Sequence, residues 1–399
     1  MGIYIHYFET EAGFSDERNN NYVEPWLFYT EVSDRVDYNK SRYERLISTP
    51  LTFEIMGTGT IRFKAQDTGY TRTIEYKKND GEWTSITSST GNSSSTISVV
   101  SGDTVQVRGN NADYSSNNSS DRNYFVVTGC NYNLCGNIMS LVDSTNFETA
   151  TTFSSRYVFY QLFSGSTGLV SAEDLLLPAT SVTMWSYYGM FQYCTNLTKG
   201  PELLPATVVS DYGYSSMFSS CTGLLKAPEI AATTVMSGCC SSMFTNCSSM
   251  TIGPSILPAE TFGYTGRCCY RSMFYNCKSL TVAPILPATG LAASCYTSMF
   301  YGCESLVNGP DLPATNTYQY PSGYDLGGCY HAMFSGCTNL RYVKYMSLYK
   351  PDTAHTGNWL AGVSETGTFV RNSSATWEGQ ITRGVSTIPT GWTIETASA

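Results

Sequence analysis

The segment MFYNCKSLTVAPILPAT, residues 273–289, decides the fold, because both of its halves recur along the chain. The first half returns as LFSGSTGL at Phe163, MFQYCTNL at Phe191, MFSSCTGL at Phe218, MFTNCSSM at Phe244, MFYGCESL at Phe300 and MFSGCTNL at Phe334, which makes seven units. Successive Phe residues are 28, 27, 26, 30, 26 and 34 positions apart. The second half returns as LPAT at Leu177, Leu204 and Leu312, as LPAE at Leu257 and as IAAT at Ile230. A proline precedes it at Pro201, Pro228, Pro254, Pro284 and Pro310.

A period of this length is the signature of a solenoid, in which each repeat buries its apolar face only against its neighbours. Within one unit, Cys269, Met273, Cys277 and Leu280 fall at i, i+4, i+8 and i+11, which predicts the core-facing stripe of an α-helix. The Thr of LPAT would cap that helix and the Asn-Cys or Gly-Cys pair would end it. The proline-rich stretch 280–286 would supply a short strand. Thick helices opposite thin strands predict a curved stack.

The cysteines follow the same register. Cys194, Cys221, Cys247, Cys277, Cys303 and Cys337 lie three residues after Phe, and Cys239, Cys269, Cys295 and Cys329 four before Met. Equivalent positions stack, so these are read as ladders of reduced thiols acting as small core residues, in preference to disulfides. Cys130 and Cys135 read as packing residues, with a pairing between them left open.

The recurring MFxxCxxL and LPAT unit resembles the BspA-like leucine-rich repeats common in surface proteins of Bacteroidales and their phages. The resemblance spans about residues 150–345 and implies an α/β leucine-rich-repeat-like solenoid of seven repeats. It further implies a surface built for adhesion or receptor binding.

Upstream, alternating patterns at Thr60–Lys64, Thr73–Lys77, Thr96–Val99 and Thr104–Val107, separated by Asn79-Asp80-Gly81 and Ser101-Gly102-Asp103, predict a small antiparallel β-sandwich. Downstream, GTFVRNSSATW and IPTGWTIETA predict a β-type C-terminal cap. The expected division is an anchoring segment over 1–49, the sandwich over 50–142, the solenoid over 143–345 and the cap over 346–399.

Only 14% of residues are charged and the net charge is -9, which argues against nucleic acid as a partner because phosphate neutralisation needs clustered Lys and Arg. The N-terminal residues lack the basic and apolar regions of a secretory signal, and no stretch approaches the length of a membrane span, so the reading is a protein made in a cytoplasm. Three histidines, His6, His331 and His355, without HExxH or CxxC spacing predict no metal site, and no cofactor is expected. No GxSxG or phosphate loop is present, and Glu304 with Asp311 reads as solvated surface in preference to a glycosidase couple. The expectation is a non-enzymatic protein.

Aromatic residues placed after the LPAT blocks are the candidate ligand-binding set: Trp185, Tyr187, Tyr188, Tyr212, Tyr214, Phe262, Tyr264, Tyr318, Tyr320 and Tyr324. Tyr and Trp among Ser, Thr and Gly make a low-entropy surface for glycan or protein. The expectation is a phage virion protein, of the kind found in the crAss-like group, acting as fibre, tail or capsid decoration. It would attach to other virion proteins through residues 1–49, associate with itself, by analogy as a trimer, and bind host-surface glycan or protein. A bacterial cell-surface adhesin and a capsule depolymerase are the alternatives.

Overall fold

The computed structural model describes residues 33–91, 96–116, 121–262, 265–316, 327–377, 383–384 and 386–398. Most of the expected anchoring segment, residues 1–32, lies outside the described residues. Among the described residues there is a single α-helix, α1 (Ser33–Ile47), which carries a Lys40–Glu44 pair at i, i+4.

Eight strands form the sandwich-like region: β1 (Leu51–Met56), β2 (Gly59–Ala65), β3 (Thr73–Lys78), β4 (Thr84–Thr87), β5 (Thr96–Val99), β6 (Thr104–Gly109), β7 (Asn123–Thr128) and β8 (Asn131–Asn137). The four predicted strands are among them. A three-stranded sheet, β5-β2-β7, faces the larger one, and their alternate residues Phe53, Ile61, Phe63, Val105, Val107 and Phe125 fill the space between. At β8 the pattern changes. That strand pairs in parallel with β9 (Leu169–Leu176), so the larger sheet, β4-β3-β6-β1-β8-β9, runs into the first coil of the solenoid.

The rest of the chain is a β-solenoid of about eight turns. One side of each coil contributes short parallel ladders: β10 (Ser181–Val182), β12 (Val208–Val209) and β14 (Thr234–Val235) form one, and β11 (Leu203–Leu204) with β13 (Glu229–Ile230) another. Single bridges continue the column from Ser171 through Lys199, Lys226 and Ile252 to Val282. The Leu and Ala of each LPAT face inward and are buried in every coil, as strand alternation requires.

The opposite side corrects the helix expectation. Between Trp185 and Cys194 the amides alternate: Trp185, Tyr187, Gly189, Phe191 and Tyr193 donate to carbonyls of the next coil, while Ser186, Tyr188, Met190, Gln192 and Cys194 donate three residues back within their own. Every fourth residue takes a left-handed backbone, here Trp185 (φ 62°), Gly189 (φ 55°) and Tyr193 (φ 63°), and the same three places recur as Tyr212, Ser216 and Ser220 or Cys268, Ser272 and Asn276. The result is a flat ribbon of linked turns with a period of four. It is not an α-helix, because a helix satisfies all its amides internally and packs at about 8–10 Å, whereas the strand side demands coils about 4.8 Å apart. A ribbon that hydrogen-bonds to its neighbours meets that spacing, and the wedge expected to curve the stack is missing.

Two ring ladders run through the core. Phe163, Phe191, Phe218, Phe244, Phe274, Phe300 and Phe334 stack with centroids 5.3 to 5.7 Å apart and planes within 15°. Four residues earlier, Phe159, Tyr187 and Tyr214 make a second ladder, Cys240 takes the next place, and Tyr270, Tyr296 and Tyr330 resume it. Phe125 of the sandwich stacks on Phe163 at 5.8 Å, so the sandwich closes one end of the ladder with its own core.

The thiol ladders are present, and none of the fourteen cysteines, all among the described residues, is in a disulfide, Cys130 and Cys135 included. Each thiol three places after Phe donates to the Phe carbonyl of the preceding coil: Cys194 to Phe163 (3.2 Å), Cys221 to Phe191 (3.0 Å), Cys247 to Phe218 (3.1 Å) and Cys337 to Phe300 (2.9 Å) are examples. Burial pushes Cys194, Cys295 and Cys337 up to about 12.

Beyond the seven units read from sequence, another turn ribbon follows. Asn358 (φ 56°) and Gly362 (φ 71°) hold its left-handed places, and Phe334 donates to Trp359. β15 (Tyr342–Tyr345), β16 (Gly367–Arg371) and β17 (Trp392–Thr396) pair in parallel, so the strands expected to cap the stack extend its ladder.

Candidate functional site

The ribbon face of the first three coils gathers the exposed aromatic rings. A left-handed residue six places before each ladder Phe turns its side chain out of the core, and in these coils the place is held by Tyr157, Trp185 and Tyr212. Their rings stack: Tyr157 on Trp185 at 6.1 Å and Trp185 on Tyr212 at 4.3 Å. In the fourth coil the place is Gly238, where an added Cβ would stand 2.6 Å from the Tyr212 ring, so that ring lies flat on bare backbone. Three places before Phe, Tyr160 and Tyr188 stack at 5.1 Å, and Tyr188 meets Trp185 at 4.8 Å with the two planes tilted by 57°.

Stacking consumes the ring faces and leaves their edges. Among the described residues neither the Trp185 indole N–H nor the hydroxyls of Tyr157, Tyr188 and Tyr212 have a protein partner, so the ledge offers a row of polar ring edges along three coils. Tyr193, 54% exposed, holds a later left-handed place of the same ribbon and has no ring partner among the described residues. Tyr160 is mostly buried, and desolvation, reinforced by Tyr188, pushes its hydroxyl up to about 12 while Arg122 pulls the other way.

The expected site residues therefore divide. Trp185, Tyr188 and Tyr212 come together on the ledge. Tyr187 and Tyr214 are 0% and 1% exposed and belong to the inner ladder, so they are core residues and not surface contacts; the reason is the period of four, which turns the place four before Phe inward. Phe262 is likewise buried, edge-on to Tyr270 and Tyr296. Tyr264, Tyr318, Tyr320 and Tyr324 lie outside the described residues. Tyr157, Tyr160 and Tyr193 were missed from sequence, although Tyr157 and Tyr160 occupy the same columns as Trp185 and Tyr188 and aligning on Phe would have found them.

Among the described residues, no cluster of three or more His, Cys, Asp or Glu side chains could hold a metal ion. The carboxylates weighed as a glycosidase couple are each held by lysine: Glu304 by Lys278 at 2.8 Å and Asp311 by Lys344 at 2.6 Å. No helix among the described residues is long and apolar enough to cross a membrane.

A second exposed surface lies on the strand side, where Leu225, Ile252, Val282, Ile285 and Val307 sit on four successive coils. Thr198, Thr251 and Thr281 beside them give their hydroxyls to carbonyls of the preceding coil, which leaves their methyl groups to the surface. No family model, curated protein or solved structure matches the chain.

Proposed function

We propose that this chain is a non-catalytic recognition protein whose aromatic ledge on the first three coils binds glycan at a host surface. The carrying observation is the co-stacking of Tyr157, Trp185 and Tyr212 with their polar edges free, on a scaffold rigid enough to fix them before binding. Rigid Tyr and Trp lose little entropy on contact, and their hydroxyls and indole N–H match the hydroxyl-rich edge of a sugar chain.

Within this reading the repeats are BspA-like leucine-rich repeats, seven by sequence, and the protein is a virion component, as fibre, tail or capsid decoration. Residues 1–49 attach it to neighbouring virion proteins. The repeated MFxxCxxL and LPAT unit supports that kinship. Binding of the purified chain to extracted host-surface polysaccharide tests the reading: Tyr188→Ala and Trp185→Ala should each weaken it by about tenfold or more. Equal binding by wild type and both variants, with unchanged circular dichroism, would overturn it.

The strand-side strip favours a second reading, in which the partner is protein and includes a second copy of the chain. A contiguous apolar surface of this kind is uncommon on a monomer. Val282→Lys should then lower the mass measured by light scattering, and a wild-type chain that stays monomeric at high concentration would remove the idea.

A further inference from the structure

The ledge ends at the seam with the sandwich, where Arg122 precedes β7. Its Nε donates to Gln66 Oε1 at 3.0 Å, its Nη1 to Gln161 Oε1 at 2.6 Å, and its guanidinium lies 4.4 Å from the centre of the Tyr124 ring. All of these partners are neutral. Arg72, Lys78, Arg108, Lys199, Lys278 and Lys344 each have a carboxylate within ion-pair distance, whereas Arg122 has none among the described residues. It is half-buried, and desolvation lowers its pKa, so its charge is held in a place that disfavours charge, without the anion that would offset the cost.

The hydrogen bonds around it have a direction. A guanidinium can only donate, so Gln161 must turn Oε1 to Arg122 and Nε2 onward to Gln192 Oε1, 3.4 Å away. That leaves the Gln192 amide nitrogen, like the remaining guanidinium nitrogen, a donor with no acceptor among the described residues. Gly189 keeps this place open, since a Cβ there would come within 3.1 Å of Gln161 Cγ and 3.2 Å of Gln192 Oε1. Gln161, which accepts from Arg122, directly follows Tyr160, whose ring stacks on Tyr188, so the site adjoins the ledge.

We infer that this seam recognises an acidic sugar residue, one bearing a carboxylate or sulfate, with Arg122 as the countercharge, Gln192 as a second donor and the ledge carrying the rest of the chain. This rests on the reading of the ledge as a glycan site. A guanidinium that none of its protein partners neutralises is the kind of donor that holds the paired oxygens of such a group, and the Gln192 amide lies one hydrogen-bonded step further along the ribbon. Nucleic acid fits less well, because its affinity comes from many phosphates neutralised together by clustered Lys and Arg, and this site offers a single guanidinium.

The experiment is calorimetric titration of the full chain with oligogalacturonate, with its neutral methyl ester, and with dextran sulfate against dextran. The acidic member of one pair should bind about tenfold tighter than its neutral counterpart, and the pair that shows it distinguishes carboxylate from sulfate. Arg122→Gln should remove that preference and leave neutral binding and the melting temperature unchanged, while Arg122→Lys should keep part of it. Equal binding of acidic and neutral probes by the wild type, or a preference that survives Arg122→Gln, overturns the inference and leaves the ledge reading standing. Loss of all binding in Trp185→Ala, with Arg122→Gln losing only the preference for the acidic probe, supports both. Absence of binding to every probe overturns the acidic-sugar assignment, and host-polysaccharide binding then decides the ledge alone.

Discussion

Replacing Phe244 by alanine tests the core of the structure more sharply than any other single change. Its ring has 0% exposure and stacks on Phe218 at 5.6 Å and on Phe274 at 5.5 Å. Truncating a buried Phe to Ala costs about 3–5 kcal/mol. Two stacked partners add about 0.5–1.5 kcal/mol each beyond area, some of it already inside that range, so about 4–6 kcal/mol is expected. Phe244→Leu keeps most of the volume and loses the stacking, and should cost about 1–3 kcal/mol. Because solenoid coils are stabilised by their neighbours, a break in the middle should also uncouple the two ends. Urea unfolding followed by circular dichroism would read this as a transition at lower urea that splits in two. Hydrogen exchange would show early loss of protection at the Phe218 and Phe244 amides, which bond to Met243 and Met273. A single transition shifted by less than about 1 kcal/mol would mean that the rings do not stack in solution, and the coil register would fall with them.

Three further outcomes are expected. Gly238→Ala sets a Cβ 2.6 Å from the Tyr212 ring at φ 60° and should lower stability by about 1–2 kcal/mol, while Ser272→Gly, at φ 54°, should raise it slightly; calorimetric melting checks both signs. Brief treatment of the native protein with iodoacetamide should label only Cys130 and Cys268, the two half-buried thiols, and mass spectrometry showing early labelling at Cys247 would refute the buried ladder. Alkaline pH should unfold the chain. Burial raises the thiols of Cys194, Cys295 and Cys337, and the hydroxyl of Tyr160, to about 12, so the native state holds protons that the unfolded chain releases near the ordinary values of 9 for a thiol and 10 for a phenol. That stability is complete below about pH 9 and is lost as pH rises towards 12; a circular dichroism signal flat from pH 8 to 12 would contradict it.

The period, the inward-facing Phe, Met and Leu, the thiol ladders and four sandwich strands are all legible in the residues, because burial against an identical neighbour imposes one chemistry on each column. Conformation along the ribbon was not legible. Over eight residues a stripe at i, i+4 and i+8 fits a helix of 3.6 residues per turn as well as turns of four, and the two part only when the coil spacing is known. The distinguishing sign was the Gly or Ser found two places before Phe in five of the coils, at Gly189, Ser216, Ser242, Ser272 and Ser298, which suits a left-handed backbone better than a helix interior.

The same ambiguity divided the candidate site. Trp185 and Tyr187 are two residues apart, and sequence cannot say which of them faces water until the turn that separates them is set. Once the amides of alternate residues are committed to the next coil, Trp185 must turn outward and Tyr187 inward. Arg122 lies farther still from sequence reasoning, since it meets Gln161 only because β8 pairs with β9 and brings the sandwich edge against the first coil. Local chemistry thus determined what each coil is made of. Hydrogen bonding between coils, which along the ribbon joins residues 25 to 33 positions apart, decided which rings reach the surface and what stands beside them.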